Sequence, residues 1–367
     1  MTITRRIFHV VGARPNFMKI APVMAAIECF PDIEQRLVHT GQHYDEQMAQ
    51  VFFRDLGLPK PDRDLEVGSG TQAEQTGAAM VRLERVLEEE RPDLVVVVGD
   101  VNSTLAAAVV AAKAGVPLAH VEAGLRSRDW TMPEEINRIV TDRLASLLLT
   151  PSRDADENLK AEGVPPDRIR FVGNVMIDTL LRHRSKAPWP ALRSRFRLEE
   201  RRYALLTLHR PANVDDPAKL STILERLAPL SKDYRILFPV HPRTARRLAE
   251  SGLESKAAFL ERFEPLGYLE FLGLMDHAAF VLTDSGGIQE ETTVLGVPCF
   301  TLRDSTERPV TIAEGTNTLV GADARELAAA FEDFRKIGGK RGQTPELWDG
   351  HAGERVAAAL MGFLRVS

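Results

Sequence analysis

Cysteine is scarce in this sequence, and its scarcity excludes two kinds of structure. Cys29 and Cys299 are the only cysteines among 367 residues, and they lie far apart in apolar surroundings. Two such residues support neither a disulfide framework nor a cysteine metal site. We therefore expect two buried free thiols in a reducing compartment, which predicts a cytoplasmic protein.

Long apolar runs and a surplus of basic residues are also missing. No apolar segment reaches the roughly 18 residues that a membrane span requires. Residues 1–6 show no signal-peptide pattern before the first predicted strand. The formal net charge is −5 with no long basic block, whereas nucleic-acid binding usually needs a concentrated basic face. The composition thus predicts neither a membrane protein nor a nucleic-acid partner.

Several familiar short motifs are absent or fail in context. There is no Walker A pattern and no Gly-x-Ser-x-Gly nucleophile pattern. His39 and His43 are spaced like metal ligands but lack the glutamate of a zinc-protease pattern, so no metal site is predicted. Residues 68–73 match a dinucleotide-binding pattern, but no convincing strand precedes them and the acidic residues 88–90 lie in the same predicted helix. No cofactor is predicted.

What the sequence does contain is a steady alternation of strand and helix patterns. A chain of this length is too long for one ordinary core, so two domains are expected. The run Leu94–Val98 is typical of a strand that is buried on both faces. Strands are predicted at residues 7–11, 35–39, 94–98, 117–121, 147–150 and 169–172, then at 204–207, 236–239, 280–283 and 298–301.

The proline-containing stretch of residues 184–202 interrupts this alternation near the expected boundary. We predict an α/β protein of two doubly wound, Rossmann-like domains facing a central cleft, at residues 1–180 and 181–350. Residues 351–367 are expected to form a helix that packs back on the first domain. Ligands of such folds bind outside the carboxyl ends of the strands.

A serine and two glycines separate a predicted strand from a helix in the second domain. The first amides of a helix have no internal partners, and the helix dipole there favours an anion. Gly286 and Gly287, after Ser285, lack the Cβ atoms that would keep a phosphate away. Glu291 follows beyond the first turn, where it could reach a sugar hydroxyl. The pattern indicates a nucleotide diphosphate site.

Cations and histidines follow other predicted strands. Arg14 and Lys19 lie at a helix start, where positive charge opposes the helix dipole, so a pyrophosphate is a better partner than solvent. Arg308 either reaches the diphosphate from the second domain or lies in a surface loop. His209 and His241 are candidate phosphate contacts or acid/base groups, although one of them could be merely structural.

Carboxylates occur at neighbouring strand ends of the first domain. Asp100 and Glu122 follow two successive strands, and Glu134 begins the helix just downstream. Taken singly, Asp100 could cap a helix, Glu122 could pair with Arg126, and Glu134 could be a first-turn charge. Together they favour general acid/base chemistry, because carboxylates that share a site raise one another's pKa.

These segments together resemble the non-hydrolysing UDP-N-acetylglucosamine 2-epimerases. The similarity covers nearly the whole chain, at residues 12–15, 40–43, 99–100, 120–126, 133–138, 208–210, 284–291 and 306–309. It implies the two-domain glycosyltransferase-B architecture, a cytoplasmic homodimer, and interconversion of UDP-GlcNAc and UDP-ManNAc. The family eliminates UDP to a 2-acetamidoglucal and adds it back with a proton on the opposite face of C2.

The resemblance also implies roles for individual residues. The catalytic set is Asp100, Glu122, Glu134 and His209. The UDP-sugar contacts are Arg14, Lys19, Arg138, His241, Phe271, Ser285, Gly286, Gly287, Glu291 and Arg308, with Phe271 at the uracil and Glu291 at the ribose. An allosteric site of some bacterial members matches Gln42, His43, Gln47, Gln72 and Arg210. Which carboxylate removes the proton stays open.

The loop of residues 127–132 departs from the best-known bacterial members, because it is shorter and lacks their Ser-Pro-aromatic-Pro segment. The shorter form resembles relatives that include epimerases of UDP-2,3-diacetamido-2,3-dideoxyglucuronate. The exact sugar therefore stays open. Three other functions remain as alternatives: a glycosyltransferase of the same architecture, a hydrolysing epimerase, and a sugar-nucleotide-binding regulator without catalysis.

Overall fold

The structure is a computed structural model that describes residues 5–41, 56–321 and 324–366. The strands are β1 (Arg5–Val11), β2 (Ile33–His39), β3 (Arg63–Asp64), β4 (Leu94–Val98), β5 (Leu118–Val121), β6 (Leu147–Thr150), β7 (Ile169–Phe171), β8 (Tyr203–Thr207), β9 (Arg235–Pro239), β10 (Leu260–Phe263), β11 (Phe280–Thr283), β12 (Cys299–Thr301) and β13 (Asn317–Leu319).

The helices follow the same order along the chain. They are α1 (Arg14–Ile27), α2 (Gln72–Glu90), α3 (Asn102–Lys113), α4 (Pro133–Leu144), α5 (Arg153–Ala161), α6 (Val175–Arg184), α7 (Trp189–Phe196), α8 (Pro211–Val214), α9 (Pro217–Leu227), α10 (Pro242–Glu250), α11 (Tyr268–Asp276), α12 (Gly286–Leu295), α13 (Pro309–Ala313), α14 (Ala324–Ile337) and α15 (Ala352–Val366). The chain forms two compact units, one up to Thr179 and again from Glu346, the other Leu180–Pro345.

The first unit is built on a parallel sheet of order β3-β2-β1-β4-β5-β6-β7. This is the doubly wound order, and its switch point lies between β1 and β4. Every residue of β4 is fully buried, as expected for a central strand covered on both faces. Side chains of β1 and β4 such as Phe8 and Val97 share one core with Leu83 of α2 and Ala107 of α3.

Two helices of the first unit have capped N-termini, α2 and α15. Thr71 caps α2 through a capping box with Glu74, so the glycine-rich stretch before it is a helix start. Helix α15 packs against α1, where a Cβ on Gly353 would lie 2.6 Å from the Pro22 carbonyl oxygen. Asp178 accepts hydrogen bonds from the first amides of α15 and thereby caps it.

The second unit repeats the architecture with a parallel sheet of order β10-β9-β8-β11-β12-β13. Its switch point lies between β8 and β11. Phe280 of β11 and Phe300 of β12 pack edge to face, with ring centroids 5.6 Å apart. Phe331 and Phe334 of α14 join the same core. The fold class predicted from the alternation, two parallel-sheet α/β domains, is confirmed.

Two details differ from the sequence predictions. The short strands β3, β10 and β13 are not predicted, and each lies at the edge of a sheet, where burial on one side leaves a weaker apolar pattern. Cys29 is exposed just after α1, so the expectation that both thiols are buried is wrong for this residue. Cys299 is buried in β12, and burial raises the pKa of its thiol to about 11. None of the described helices is long and apolar enough to cross a membrane.

Candidate active site

At the switch point of the first unit, one side chain joins the ends of β1 and β4. The Asn16 side-chain oxygen accepts hydrogen bonds from the Gly12 and Ala13 amides, both 3.1 Å long. Its amide nitrogen donates to the Val98 carbonyl oxygen at 2.8 Å. The turn after β1 is therefore fixed to the turn after β4, which carries Gly99 and Asp100.

Lys19 and Glu122 form a buried ion pair at this point. Lys19 Nζ donates to Glu122 Oε2, and the two residues are only 5% and 6% exposed. A Cβ on Gly99 would lie 3.0 Å from Lys19 Nζ and 3.2 Å from Glu122 Oε2, so glycine leaves room for the pair. The structure thus places Lys19 on a candidate carboxylate. The alternative pairing of Glu122 with Arg126 is wrong, because Arg126 instead binds Asp142 and Glu162.

Glu122 has an unusual backbone conformation. Its φ is +71°, in the left-handed region that only glycine adopts without cost. For a side chain such as glutamate this region costs about 1–2 kcal/mol. The Glu122 amide donates to the Leu149 carbonyl oxygen of β6 at 3.0 Å, which holds the conformation. Such local strain is concentrated at functional sites.

Asp100 is held by residues of α4. Arg138 Nη1 donates to Asp100 Oδ2, and Asn137 donates to the Asp100 carbonyl oxygen at 2.8 Å. The N-cap of α3 is Val101, so Asp100 does not take the capping position that its place in the sequence allows. Arg138 is 2% exposed, and its guanidinium bonds Asp100 and Glu135.

Glu134 lies in the first turn of α4 and is half-buried. It precedes Asn137 and Arg138 by three and four residues, about one helical turn, and both of these bind Asp100. The helix that carries Glu134 is therefore anchored at Asp100. In this way the structure brings Asp100, the Lys19–Glu122 pair and the start of α4 to one edge of the sheet.

Sequence reasoning missed a buried charge network beneath these carboxylates. His120 bonds Asp142 at 2.6 Å through Nδ1 and the Gly99 carbonyl oxygen at 2.9 Å through Nε2. Asp142 also accepts from Arg126 at 2.7 Å. Burial alone would raise the pKa of Asp142, but His120 and Arg126 outweigh it and hold that pKa below its usual value. The available signal was a charged residue at a core position of an amphipathic helix.

In the second unit, Asp284 organises the switch point. It is fully buried and accepts hydrogen bonds from the amides of His209 and Arg210 and from the Asn213 side chain. His209 Nδ1 lies 3.1 Å from Asp284 Oδ1, while about half of its side chain is exposed. Burial raises the pKa of Asp284, but the His209 side chain and the two amides lower it below its usual value overall. Asp284 therefore orients the His209 imidazole, and it was not among the predicted site residues.

The start of α12 is crowded by an arginine and a glutamate. Ser285 is the N-cap, and its side chain makes no capping bond. A Cβ on Gly286 would overlap the Arg308 guanidinium and lie 2.5 Å from Glu307 Oε1. Arg308 is 5% exposed and pairs with Glu307 and with Glu290, the latter at 2.9 Å. Arg308 is therefore at the helix N-terminus and not in a surface loop, and Gly287 is the next residue of the helix.

The remaining predicted residues have these positions. Glu291 is buried and accepts from the Tyr268 hydroxyl at 2.9 Å, and Phe271 lies half-buried on the helix of Tyr268. His241 is exposed and caps α10 by accepting from the Arg243 amide, which is a structural contact. Gln72 is exposed at the start of α2 in the first unit. Arg210 belongs to the second unit, where it donates to the Asp284 carbonyl oxygen. Gln42, His43, Gln47 and the side chain of Arg14 lie outside the described residues.

No group of histidine, cysteine and carboxylate side chains in residues 5–41, 56–321 and 324–366 is arranged to hold a metal ion. The chemistry that these residues support is proton transfer by the carboxylates of the first unit and anion binding at α12 in the second.

Comparisons with known proteins identify the family of this chain. A family model described as UDP-N-acetylglucosamine 2-epimerase matches residues 25–361. A UDP-N-acetylglucosamine 2-epimerase of Methanocaldococcus jannaschii is 44% identical over 96% of this chain and 97% of its own. A UDP-2,3-diacetamido-2,3-dideoxy-D-glucuronate 2-epimerase of Pseudomonas aeruginosa is 42% identical over 88% of this chain and 90% of its own.

The crystal structure of the M. jannaschii UDP-GlcNAc 2-epimerase in complex with UDP-GlcNAc and UDP superposes with a TM-score of 0.90. It is 43% identical in sequence, and the match covers 97% of this chain and 99% of that one.

Proposed function

Because the chain belongs to the UDP-N-acetylglucosamine 2-epimerase family, we propose that it interconverts UDP-GlcNAc and UDP-ManNAc by inverting C2 of the sugar. The family makes it an isomerase. The observation that carries the reaction is the grouping of Asp100, the Lys19–Glu122 pair and the start of α4 at one switch point. Several carboxylates near one carbon suit a reaction that removes and returns a proton.

The proposed reaction proceeds by elimination and re-addition. The C2 proton of the sugar is not acidic, so a carboxylate removes it while the C1–oxygen bond breaks and its electron pair leaves with UDP. The product is a 2-acetamidoglucal. UDP then attacks C1 again, and a proton reaches C2 from the opposite face. Asp100, Glu122 and Glu134 are the proposed acid/base set, with Glu134 on the helix anchored at Asp100.

UDP must leave the sugar and yet stay bound to the protein. The start of α12 is the proposed binding site for its diphosphate. The free amides of Gly286 and Gly287, the Ser285 hydroxyl and the positive end of the helix dipole favour a diphosphate. Arg308 lies against Gly286, and a bound diphosphate would take over part of its pairing with Glu290 and Glu307. Stabilisation of charge that develops on a leaving group is often the largest single term in catalysis.

His209 of the second unit is proposed as a further acid/base group in the reaction. Its Nδ1 is bonded to a buried carboxylate, so Nε2 is the ring nitrogen that remains for the substrate. Glu291 is proposed to bind the ribose and Phe271 to contact the uracil. Arg14 and His241 are proposed as further contacts of the UDP-sugar.

We also propose a cytoplasmic homodimer, with residues 1–180 as the domain of the carboxylates and 181–350 as the UDP-binding domain. The packing of α15 on α1 supports assigning residues 351–367 to the first domain. A regulatory UDP-GlcNAc site involving Gln42, His43, Gln47, Gln72 and Arg210 stays a proposal.

A second candidate substrate is UDP-2,3-diacetamido-2,3-dideoxyglucuronate. Two observations favour it: the 42% identity to an epimerase named for this sugar, and the short loop of residues 127–132. This loop lies directly before α4, the helix of Glu134. It is the proposed contact for the substituents of the sugar at C3 or C6. The reaction at C2 is the same for both sugars.

One experiment separates these possibilities. The protein is incubated in D2O with a small panel of UDP-sugars and followed by NMR. We expect a 2-epimer with deuterium at C2 from one of them, and neither when Asp100 is replaced by Asn. Retention of hydrogen at C2 with no epimer from any UDP-sugar would contradict the proposal. Free UDP accumulating in step with turnover would instead indicate a hydrolysing enzyme.

A further inference from the structure

Arg138 is a buried cation that bridges two carboxylates. Its Nη1 donates to Asp100 Oδ2, while Nε and Nη2 donate to Glu135 Oε2 at 3.0 and 2.7 Å. Only 2% of Arg138 is exposed. The rigid planar fork of a guanidinium fixes the directions of its hydrogen bonds, so Arg138 also fixes where the Asp100 carboxylate lies.

Glu135 holds Arg138 from the other side and also holds a loop. It is 1% exposed and accepts from the Ser127 amide at 2.9 Å, the Ser127 hydroxyl at 3.0 Å and the Arg128 amide at 2.8 Å. Burial raises the pKa of Glu135, but these donors and Arg138 outweigh it and keep that pKa below its usual value. Glu135 is therefore a charged anchor for the start of the 127–132 loop.

The anchored loop is strained at one end and exposed in the middle. Arg128 has a φ of +60°, which a non-glycine residue keeps only when its surroundings impose it. Trp130 is 68% exposed, within a short turn in which Asp129 accepts from the Thr131 amide. The loop ends where α4 begins. A displacement of its start would therefore move Glu135, then Arg138, then Asp100.

We propose that Arg138 and Glu135 form a positioning pair that sets the Asp100 carboxylate and couples its orientation to the 127–132 loop. The pair acts through Asp100 and does not touch the sugar nucleotide. The inference rests on the proposed epimerase function, and it adds to it a physical link between the loop next to Glu134 and a reacting carboxylate. A sugar that displaces the loop would thereby lower turnover as well as binding.

The test compares two replacements of Arg138 by steady-state kinetics across pH. Among the described residues, Arg138 of α4 bonds Asp100 and is itself paired with Glu135, and Glu134 lies in the first turn of the same helix. The Lys19–Glu122 pair lies beside Gly99, the residue before Asp100. Arg138→Gln should lower kcat on the order of 100-fold with KM changed by less than about threefold, because a carboxylate is misplaced and not removed. In the profile of kcat against pH, the limb that Asp100 governs should move about one unit towards higher pH, since the nearby cation is gone.

Arg138→Lys is the conservative partner of this variant. It keeps the positive charge but loses the fork, so kcat should stay reduced while the pH profile returns to that of the wild type. Arg355→Gln is the matched control, because Arg355 also makes several bonds in the first unit, to Val172, Leu347 and Asp349. It should lower the melting temperature and leave kcat and the pH profile unchanged.

Specific outcomes would overturn the proposal. A higher KM for Arg138→Gln with unchanged kcat and pH profile would mean that Arg138 binds substrate directly. If Arg138→Gln does not fold, Glu135→Gln is measured in its place; kcat should fall, and the limb governed by Asp100 should move towards lower pH because an anion that competes for Arg138 is gone. A folded Glu135→Gln with wild-type kcat and pH profile overturns the pair, and a lowered kcat with a shifted limb supports it. Wild-type protein inactive on every UDP-sugar would refute the proposed function instead.

Discussion

Replacing Glu122 by glutamine should destabilise the first unit strongly, because the Lys19 ammonium would stay buried without its counter-charge. Both residues are at most 6% exposed, so water replaces the lost partner poorly. Removing one member of a buried ion pair costs about 3–5 kcal/mol. In a domain of about 150–250 residues each kcal/mol lowers the melting temperature by about 2–4 °C, so a loss of about 6–20 °C is expected.

The double variant Lys19→Met with Glu122→Gln isolates the pair from the packing around it. Replacing a buried ion pair by apolar residues of similar volume is often nearly neutral, and the double variant likewise leaves no unpaired charge. The double variant should therefore be more stable than either single variant. The coupling free energy from the four proteins should be at least about 2 kcal/mol. All three variants should lose epimerase activity.

Backbone strain at Glu122 gives an independent check within the same series. Both Glu122→Gly and Glu122→Ala remove the carboxylate, but only glycine adopts a φ of +71° without cost. Glycine should therefore be the more stable of the two by about 1 kcal/mol. Thermal unfolding followed by circular dichroism measures both effects. Additive losses in the cycle, or an alanine variant as stable as the glycine variant, would refute the argument.

Three further predictions concern single positions. Gly286→Ala should weaken UDP binding by about tenfold or more, because the added Cβ displaces Arg308. Calorimetry measures the affinity, and the circular dichroism spectrum should stay unchanged. An unaltered affinity would contradict this packing. The lowered pKa of Asp284 stabilises the fold above the unfolded value of about 3.9, and this contribution is lost as pH falls through the folded value. Urea unfolding between about pH 5 and 2 should therefore depend less on pH in Asp284→Asn. A thiol reagent should modify Cys29 in the native protein but Cys299 only after unfolding, and equal rates would disprove this.

Short-range patterns in the sequence determined the architecture and predicted where a site would lie. The β-branched run Leu94–Val98 is typical of a strand covered on both faces, and the alternation around it predicted parallel sheets. Carboxyl ends of parallel strands share one edge, so Asp100 and Glu122 were expected to be neighbours before any contact was known. The turn at Gly286 was likewise recognisable as an anion site, since glycine after a strand and before a helix has a local physical reason.

Only the tertiary structure decided which charges meet. Lys19 and Glu122 are 103 positions apart, and their pairing depends on how α1 is placed over the sheet. The same holds for Arg138, which the fold brings to Asp100 across 38 positions of the chain. Asp142 and Asp284 were not among the predicted site residues, and the donors that surround each carboxylate come from distant parts of the chain. Periodicity is a property of adjacent residues, whereas electrostatic pairing and burial depend on the packing of distant elements. For this reason the sequence predicted charged residues at the strand ends, and only the fold decided which of them pair.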